Sequence, residues 1–221
     1  MTTLLSPPVA PLIDNLFAAA DASSAALAPA LAALSPEERA AHMTSTTGYR
    51  DFYTALKDAP LAVSRETGTL LYMLARAIGA RDIVEFGTSF GVSTLFLASA
   101  LRDNGGGRLI GSEFEPGKVA RARASVAAAG LADLVEIREG DALQTFAHDL
   151  PDSIDLLLLD GAKGLYPAVL DLVEPRLRPG ALIIADNADW SPDYLARVRS
   201  PAAGYLSLPF GAEVELSLRL G

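Results

Sequence analysis

Cysteine is absent from the 221 residues, which excludes a disulfide framework, a thiolate zinc site and a cysteine nucleophile. Histidine is scarce: His42 and His148 are too few for a three-histidine metal site. Basic charge is in deficit. With 18 Lys+Arg against 27 Asp+Glu the formal net charge is −9, a sign that repels phosphate backbones and disfavours nucleic acid and anionic lipid as partners. No apolar run approaches the ~20 residues of a membrane span. The opening segment MTTLLSPPVAPLIDNLF lacks the basic stretch and continuous apolar run of a signal peptide. A cytoplasmic protein without membrane association is the expectation. Hydrophobic residues make up 50% of the chain, enough to bury a substantial core in one domain of ordinary size.

Two textures follow along the chain. Residues 1–60 are alanine-rich and show no strand; Ser35-Pro36-Glu37-Glu38 reads as a helix start with a capping box. This region is expected to be a helical cap packed on the core, not an independent domain. Ser64 then opens a helix whose apolar face includes Leu70, Leu71, Leu74 and Ile78 and which stops at Gly79. Residues 61–221 carry the main domain. From Asp82 onward short apolar runs alternate with amphipathic stretches. The runs are 83–86, 109–112, 135–137, 154–159 and 181–185; helices are expected at 92–101 and 116–129. Such alternation predicts an α/β fold, Rossmann-like and doubly wound. Leu208-Pro209-Phe210-Gly211 reads as the turn of a C-terminal antiparallel hairpin, which brings the mostly parallel sheet to seven strands.

In such sheets ligands bind beyond the carboxyl ends of the strands. Each of the five runs delivers an acid there: Glu85, Glu113, Asp141, Asp160 and Asp186. One or two would serve as helix N-caps, but five together suit a ligand with hydroxyls and positive charge, with or without a metal. The loop from Glu85 to Thr94 has glycines at 87 and 91, a spacing unlike the G-x-G-x-x-G of dinucleotide binders, and Glu85 would repel a pyrophosphate. S-adenosylmethionine has no phosphate, and its ammonium and sulfonium tolerate carboxylates. Glu113, 26 positions after Gly87, is placed to accept from ribose hydroxyls. Asp160, Asp186 and Asn187 would present hard oxygen donors to a divalent cation, with Lys163 close by as a base. The bland alternative makes Asp186-Asn187 a turn and Lys163 a solvated charge.

From about Pro60 onward the sequence resembles the cation-dependent O-methyltransferases, the group of catechol and caffeoyl-coenzyme A O-methyltransferases and their bacterial relatives. The resemblance rests on Val84-Glu85-Phe86-Gly87 through Gly91-Val92-Ser93, Ser112-Glu113, Gly140-Asp141-Ala142, Asp160-x-x-Lys163-x-x-Tyr166, Ala185-Asp186-Asn187 and Leu208-Pro209-x-Gly211. It implies that Glu85, Gly87, Thr88 and Ser93 hold the methionine end of S-adenosylmethionine and that Glu113 holds the ribose. Asp141 and Ala142 would border the adenine, Val63 would contribute from the preceding loop, and Asp160 would also face the cofactor. It further implies Asp160, Asp186 and Asn187 as ligands of a divalent cation (magnesium, with calcium or manganese as alternatives), Lys163 as general base, and a small-molecule acceptor such as a catechol. Ala162 stands where the plant coenzyme A-ester enzymes carry a second aspartate, and the tryptophan of the animal catechol enzyme near that point is missing too.

Trp190, just past a strand end, is placed for substrate contact. Tyr49, Phe52 and Tyr53 could line an acceptor pocket but read chiefly as core or dimer packing, His42 and His148 read as surface or satisfied polar residues, and Tyr166 as a helix anchor. Arg121, Arg123, Glu136 and Arg138 read as solvated faces. A homodimer is expected from the alanine-rich helices and from family habit. Competing readings are a methyltransferase of hydroxylated tRNA bases, a non-catalytic cofactor-binding protein, and a nicotinamide oxidoreductase, the last opposed by the glycine spacing.

Overall fold

The computed structural model describes residues 2–32, 35–211 and 213–221, with side chains at all of these except 25–32, 36 and 201. The helical spacing expected of the alanine-rich stretch at 25–34 lies outside the described side chains. A 3-10 turn at Thr3–Leu5 leads into α1 (Val9–Ala32), α2 (Pro36–Thr44), α3 (Tyr49–Ala55) and α4 (Arg65–Ala77). Helix α2 starts as its sequence demands: the Glu38 amide donates to Ser35 Oγ at 3.1 Å, and the Ser35 amide donates to the Glu38 carboxylate at 2.8 Å. Two amides that the first turn would leave orphaned are thereby satisfied. The N-terminal segment is stitched to the rest, since Leu4, Val9 and Ile13 share one core cluster with Leu71, Leu95 and Phe96.

The sheet then builds strand by strand: β1 (Asp82–Phe86), α5 (Val92–Asp103), β2 (Arg108–Glu113), α6 (Pro116–Ala128), β3 (Val135–Glu139), α7 (Ala142–Thr145), β4 (Ile154–Leu159), α8 (Tyr166–Val173), β5 (Leu177–Ala185), α9 (Pro192–Val198), β6 (Tyr205–Phe210) and β7 (Val214–Arg219). Its order is β3-β2-β1-β4-β5-β7-β6, with β1 to β5 parallel and β7 antiparallel to both β5 and β6. The run of leucines in β4 has two sides to bury. Leu156 and Leu158 enter the cluster that contains α5, while Leu157 and Leu159 enter a second cluster with Tyr166, Val169 and Tyr194. Period-two alternation on a sheet covered on both faces explains why the run is continuous. The fold is Rossmann-like, and strand order reverses between β1 and β4.

Two details differ from expectation. β5 begins at Leu177, not Ala181, because the pairing register slips between Ile154 and Leu156 and so accommodates Pro179-Gly180 as an irregularity within the strand. Leu208-Pro209-Phe210 belongs to β6 and the turn starts only at Gly211; Pro209 is tolerated because β6 is the edge strand and needs no amide on its outer side. Among the described residues no helix is long and apolar enough to cross a membrane.

Candidate active site

Backbone hydrogen bonds hold the strand tips in line. The Asp160 amide donates to Phe86 O at 2.8 Å, the Asp186 amide to Leu159 O at 2.9 Å and the Gly140 amide to Glu113 O at 3.0 Å. Gly87 is the tight point: at φ +96 it lies against the β4 tip, and a Cβ there would stand 2.5 Å from the Asp160 carbonyl oxygen. Glycine alone fits both the dihedral and the contact.

Two cavities open at these tips and share a wall. The first is lined by Gly87, Ser112, Glu113, Phe114, Lys118, Gly140, Asp141, Ala142 and Asp160, with Tyr49 and Tyr53 of α3 and Leu61 closing it. Glu113 Oε2 accepts from the Ser89 amide at 2.9 Å and Oε1 from the Glu115 amide at 3.0 Å. A carboxylate has about four acceptor sites, so lone pairs remain for a diol. Asp141 caps α7 through the Leu143 amide at 3.0 Å and pairs with Arg50 of α3 at 2.7 Å. Tyr49 meets Phe114 edge to face, ring centroids 6.1 Å apart. The second cavity has Asp160, Lys163, Asp186, Asn187 and Trp190 on one side and Phe17, Met43, Phe52, Tyr53, Leu56, Leu61 and Val63 among its walls. Asp160, Tyr53 and Leu61 border both.

Four of the five strand-end acids therefore reach a cavity. Glu85 does not. It is fully buried and accepts from Thr88 Oγ1 at 3.0 Å, Ser93 Oγ at 2.7 Å and Thr94 Oγ1 at 2.6 Å. Burial pushes its carboxyl up to about 7, against the pull of those three hydroxyl donors. Glu85, Thr88 and Ser93, assigned by resemblance to the methionine end, thus bind one another behind the cavity wall and fix the loop that carries Gly87. Space for this network comes from Gly111 on β2, where a Cβ would fall 2.4 Å from Thr88 Oγ1. Val63, expected near the adenine, lines the second cavity and not the first.

Lys163 is buried, only 3% exposed, with Nζ 2.9 Å from Asp160 Oδ1, so the solvated-charge reading falls. Burial acts to lower its pKa, but Tyr166, Asp160, Tyr53 and Asp186 around it hold it well above the usual lysine range. It stands as an ammonium. Asp186 is pushed up to about 7 by burial and by the nearby Asp160 charge, with Glu213 adding in the same sense. Asn187 takes a left-handed backbone at φ 48 and donates from Nδ2 to Glu213 Oε2 at 3.2 Å, which leaves its amide oxygen for another partner. Among the described residues no group of three or more His, Cys, Asp or Glu side chains is arranged for a metal. The donors here are two carboxylates and an amide oxygen, all hard, and two carboxylates crowd a single ammonium. That surplus of negative charge fits a hard divalent cation completed by water or acceptor oxygens. Tyr166 Oη lies 2.8 Å from Leu159 O and 2.7 Å from Asp186 O and so anchors its helix, tying the β4 and β5 tips together.

Some lining residues had packing as the favoured reading over a pocket, and others were not singled out. Tyr49, Phe52 and Tyr53, read chiefly as packing, line the cavities because α3 folds over the strand tips. Phe114 and Lys118 follow Glu113 closely, and their place beyond a strand end was the available signal. Arg138 corrects another expectation: its side chain is 13% exposed and clamps the Thr145, His148 and Asp149 carbonyls. His42 stacks on Phe52 with centroids 4.9 Å apart and has no part in either cavity.

A methyltransferase-domain family matches residues 84–188. The catechol O-methyltransferase of Niastella koreensis is 36% identical over 130 residues, 58% of this chain and 58% of that protein. Catechol O-methyltransferase B of Danio rerio is 31% identical over 173 residues, 75% of this chain and 64% of that protein. The chain thus spans less than two thirds of the length of these relatives. Among solved structures, the O-methyltransferase TomG of Streptomyces achromogenes, involved in tomaymycin synthesis and solved with S-adenosylmethionine, superposes with a TM-score of 0.63 at 26% identity, covering 86% of this chain and 92% of that one. Over residues 84–188 the chain thus matches a methyltransferase domain, and its sheet and strand-tip segment are similar to those of S-adenosylmethionine-dependent O-methyltransferases.

Proposed function

We propose that the protein transfers the methyl group of S-adenosylmethionine to a hydroxyl oxygen of a small acceptor of vicinal-diol type, such as a catechol, with a divalent cation assisting. The observation that carries this reading is the shared wall: Asp160 borders both the cavity that holds Glu113 and the cavity that holds Lys163, Asp186 and Asn187. A donor in the first and an acceptor in the second would meet across it, the arrangement in-line transfer needs. Glu113 would accept from the ribose diol, Asp141 and Ala142 would border the adenine, and Trp190 with Phe52 and Tyr53 would flank a flat acceptor. Asp160, Asp186 and Asn187 would hold the cation, which when bound supplies Lewis acidity and fixes the acceptor oxygen.

Lys163 completes the reading. A general base must first be neutral; the charges about Lys163 by themselves favour the ammonium, and a divalent cation held by Asp160, Asp186 and Asn187 would offset them and favour the neutral amine. The neutral amine would take the proton of the acceptor hydroxyl. The oxygen freed of its proton would then attack the methyl carbon, the carbon–sulfur electron pair would leave with sulfur, and the proton would remain on Lys163 Nζ until it passes to solvent. Calorimetry with S-adenosylhomocysteine and NAD, and turnover of a catechol panel with and without chelator, test the proposal. Binding of the homocysteine product, no binding of NAD, and chelator-sensitive methylation are expected. Methylation that survives chelation removes the cation but keeps the transfer; NAD binding in place of the homocysteine product removes both.

A further inference from the structure

Lys118 is a buried lysine for which the steps above have no use. It is 3% exposed and lines the first cavity beside Ser112, Glu113 and Phe114. It lies in the first turn of α6, the end of a helix where the dipole disfavours a cation. Among the described residues its ammonium has no hydrogen-bond partner, and only the more distant charges of Glu113, Glu115 and Asp160 favour it, while burial opposes it. The ammonium is not one of the enclosed unpartnered atoms, so this largely buried side chain keeps its tip accessible, and the cavity it lines is where an acceptor can arrive.

We infer that Lys118 is a cofactor-binding residue whose ammonium donates to a ribose oxygen of the methyl donor while Glu113 accepts from the same diol. This rests on the methyltransferase reading. A hydroxyl donates and accepts at once, so a diol between a carboxylate and an ammonium satisfies all three groups. Glu113 already takes one backbone amide on each oxygen, which fixes its direction. The donor's carboxylate and adenine nitrogens could also accept, but the ribose is the part that Glu113 would engage, and Glu113 lines the same cavity as Lys118.

The test measures binding of S-adenosylhomocysteine and of its 2′-deoxy and 3′-deoxy ribose analogues by calorimetry, to the wild type and to Lys118→Met and Lys118→Gln. Melting of each apoprotein is followed alongside. Lys118→Met should weaken the parent ligand about tenfold, the scale of a hydrogen bond to a charged group. It should weaken one of the deoxy analogues clearly less, because the partner oxygen is already missing. The melting temperature should not fall, since no hydrogen bond or ion pair of the protein is lost and a charge that burial disfavours has been removed. Wild-type affinity in Lys118→Met, or equal weakening of all three ligands in both variants, overturns the inference and leaves the methyltransferase reading standing. Failure of the wild type to bind S-adenosylhomocysteine overturns that reading itself.

Discussion

Glu85 and Asp186 are both buried acids at the end of a parallel strand, and both are pushed up to about 7, yet their surroundings give them opposite work. Around Glu85 the chain supplies three hydroxyl donors of its own and encloses the carboxyl away from both cavities. Around Asp186 it supplies a like charge, Asp160, and an open cavity. Polarity that a protein closes on itself is scaffold. Polarity left crowded and incompletely paired beside empty space is where ligand chemistry can enter.

The widest separation between the two regions should come from Asp160→Ala. Catechol turnover is expected to fall by at least about 100-fold, the scale of losing a group that acts at the transferring oxygen, while S-adenosylhomocysteine affinity moves by less than about threefold. Steady-state rates beside calorimetry decide it, and a parallel collapse of binding would merge the two cavities into one function. Gly87→Ala attacks the scaffold side instead. With a left-handed φ and a Cβ 2.5 Å from the Asp160 carbonyl, it should destabilise the fold by about 4 kcal/mol, strain and overpacking together; an unchanged denaturant midpoint would show that the loop yields.

Glu85 offers a sharper handle through pH. Its folded pKa of about 7 lies above the ordinary 4.5, so the protonated carboxyl contributes stability that is fully present below about pH 4.5 and is lost as pH rises through about 7. That loss amounts to about 3 kcal/mol at most, from 1.36 kcal/mol per pKa unit. Glu85→Gln should flatten the decline in urea midpoint across this window, and an unchanged slope would show that Glu85 ionises without penalty. The smallest effect is expected from Arg50→Ala. Its pair with Asp141 lies at the rim, with the Arg50 side chain 53% exposed. Product affinity should change by no more than about threefold in calorimetry, and a larger loss would make the Arg50–Asp141 pair part of cofactor binding.

The sheet was legible because buried parallel strands must be apolar on both faces, and the runs at 83–86, 109–112 and 154–159 lie within β1, β2 and β4. The acids at their tips were legible because strand ends and helix starts are marked locally. Glu85 shows the limit: its sequence position matches that of its neighbours, but whether a carboxylate meets solvent or three hydroxyls depends on side chains brought in by α5.

Local pattern thus determined which residues stand at the sheet's carboxyl edge, since periodicity and capping are properties of a few consecutive residues. Only the folded structure decided which of those residues face a cavity, that α3 would lay Tyr49 and Tyr53 over it, and that Lys118 would line it. Those outcomes depend on how distant segments pack, and no short stretch of sequence carries the shape of the space between them.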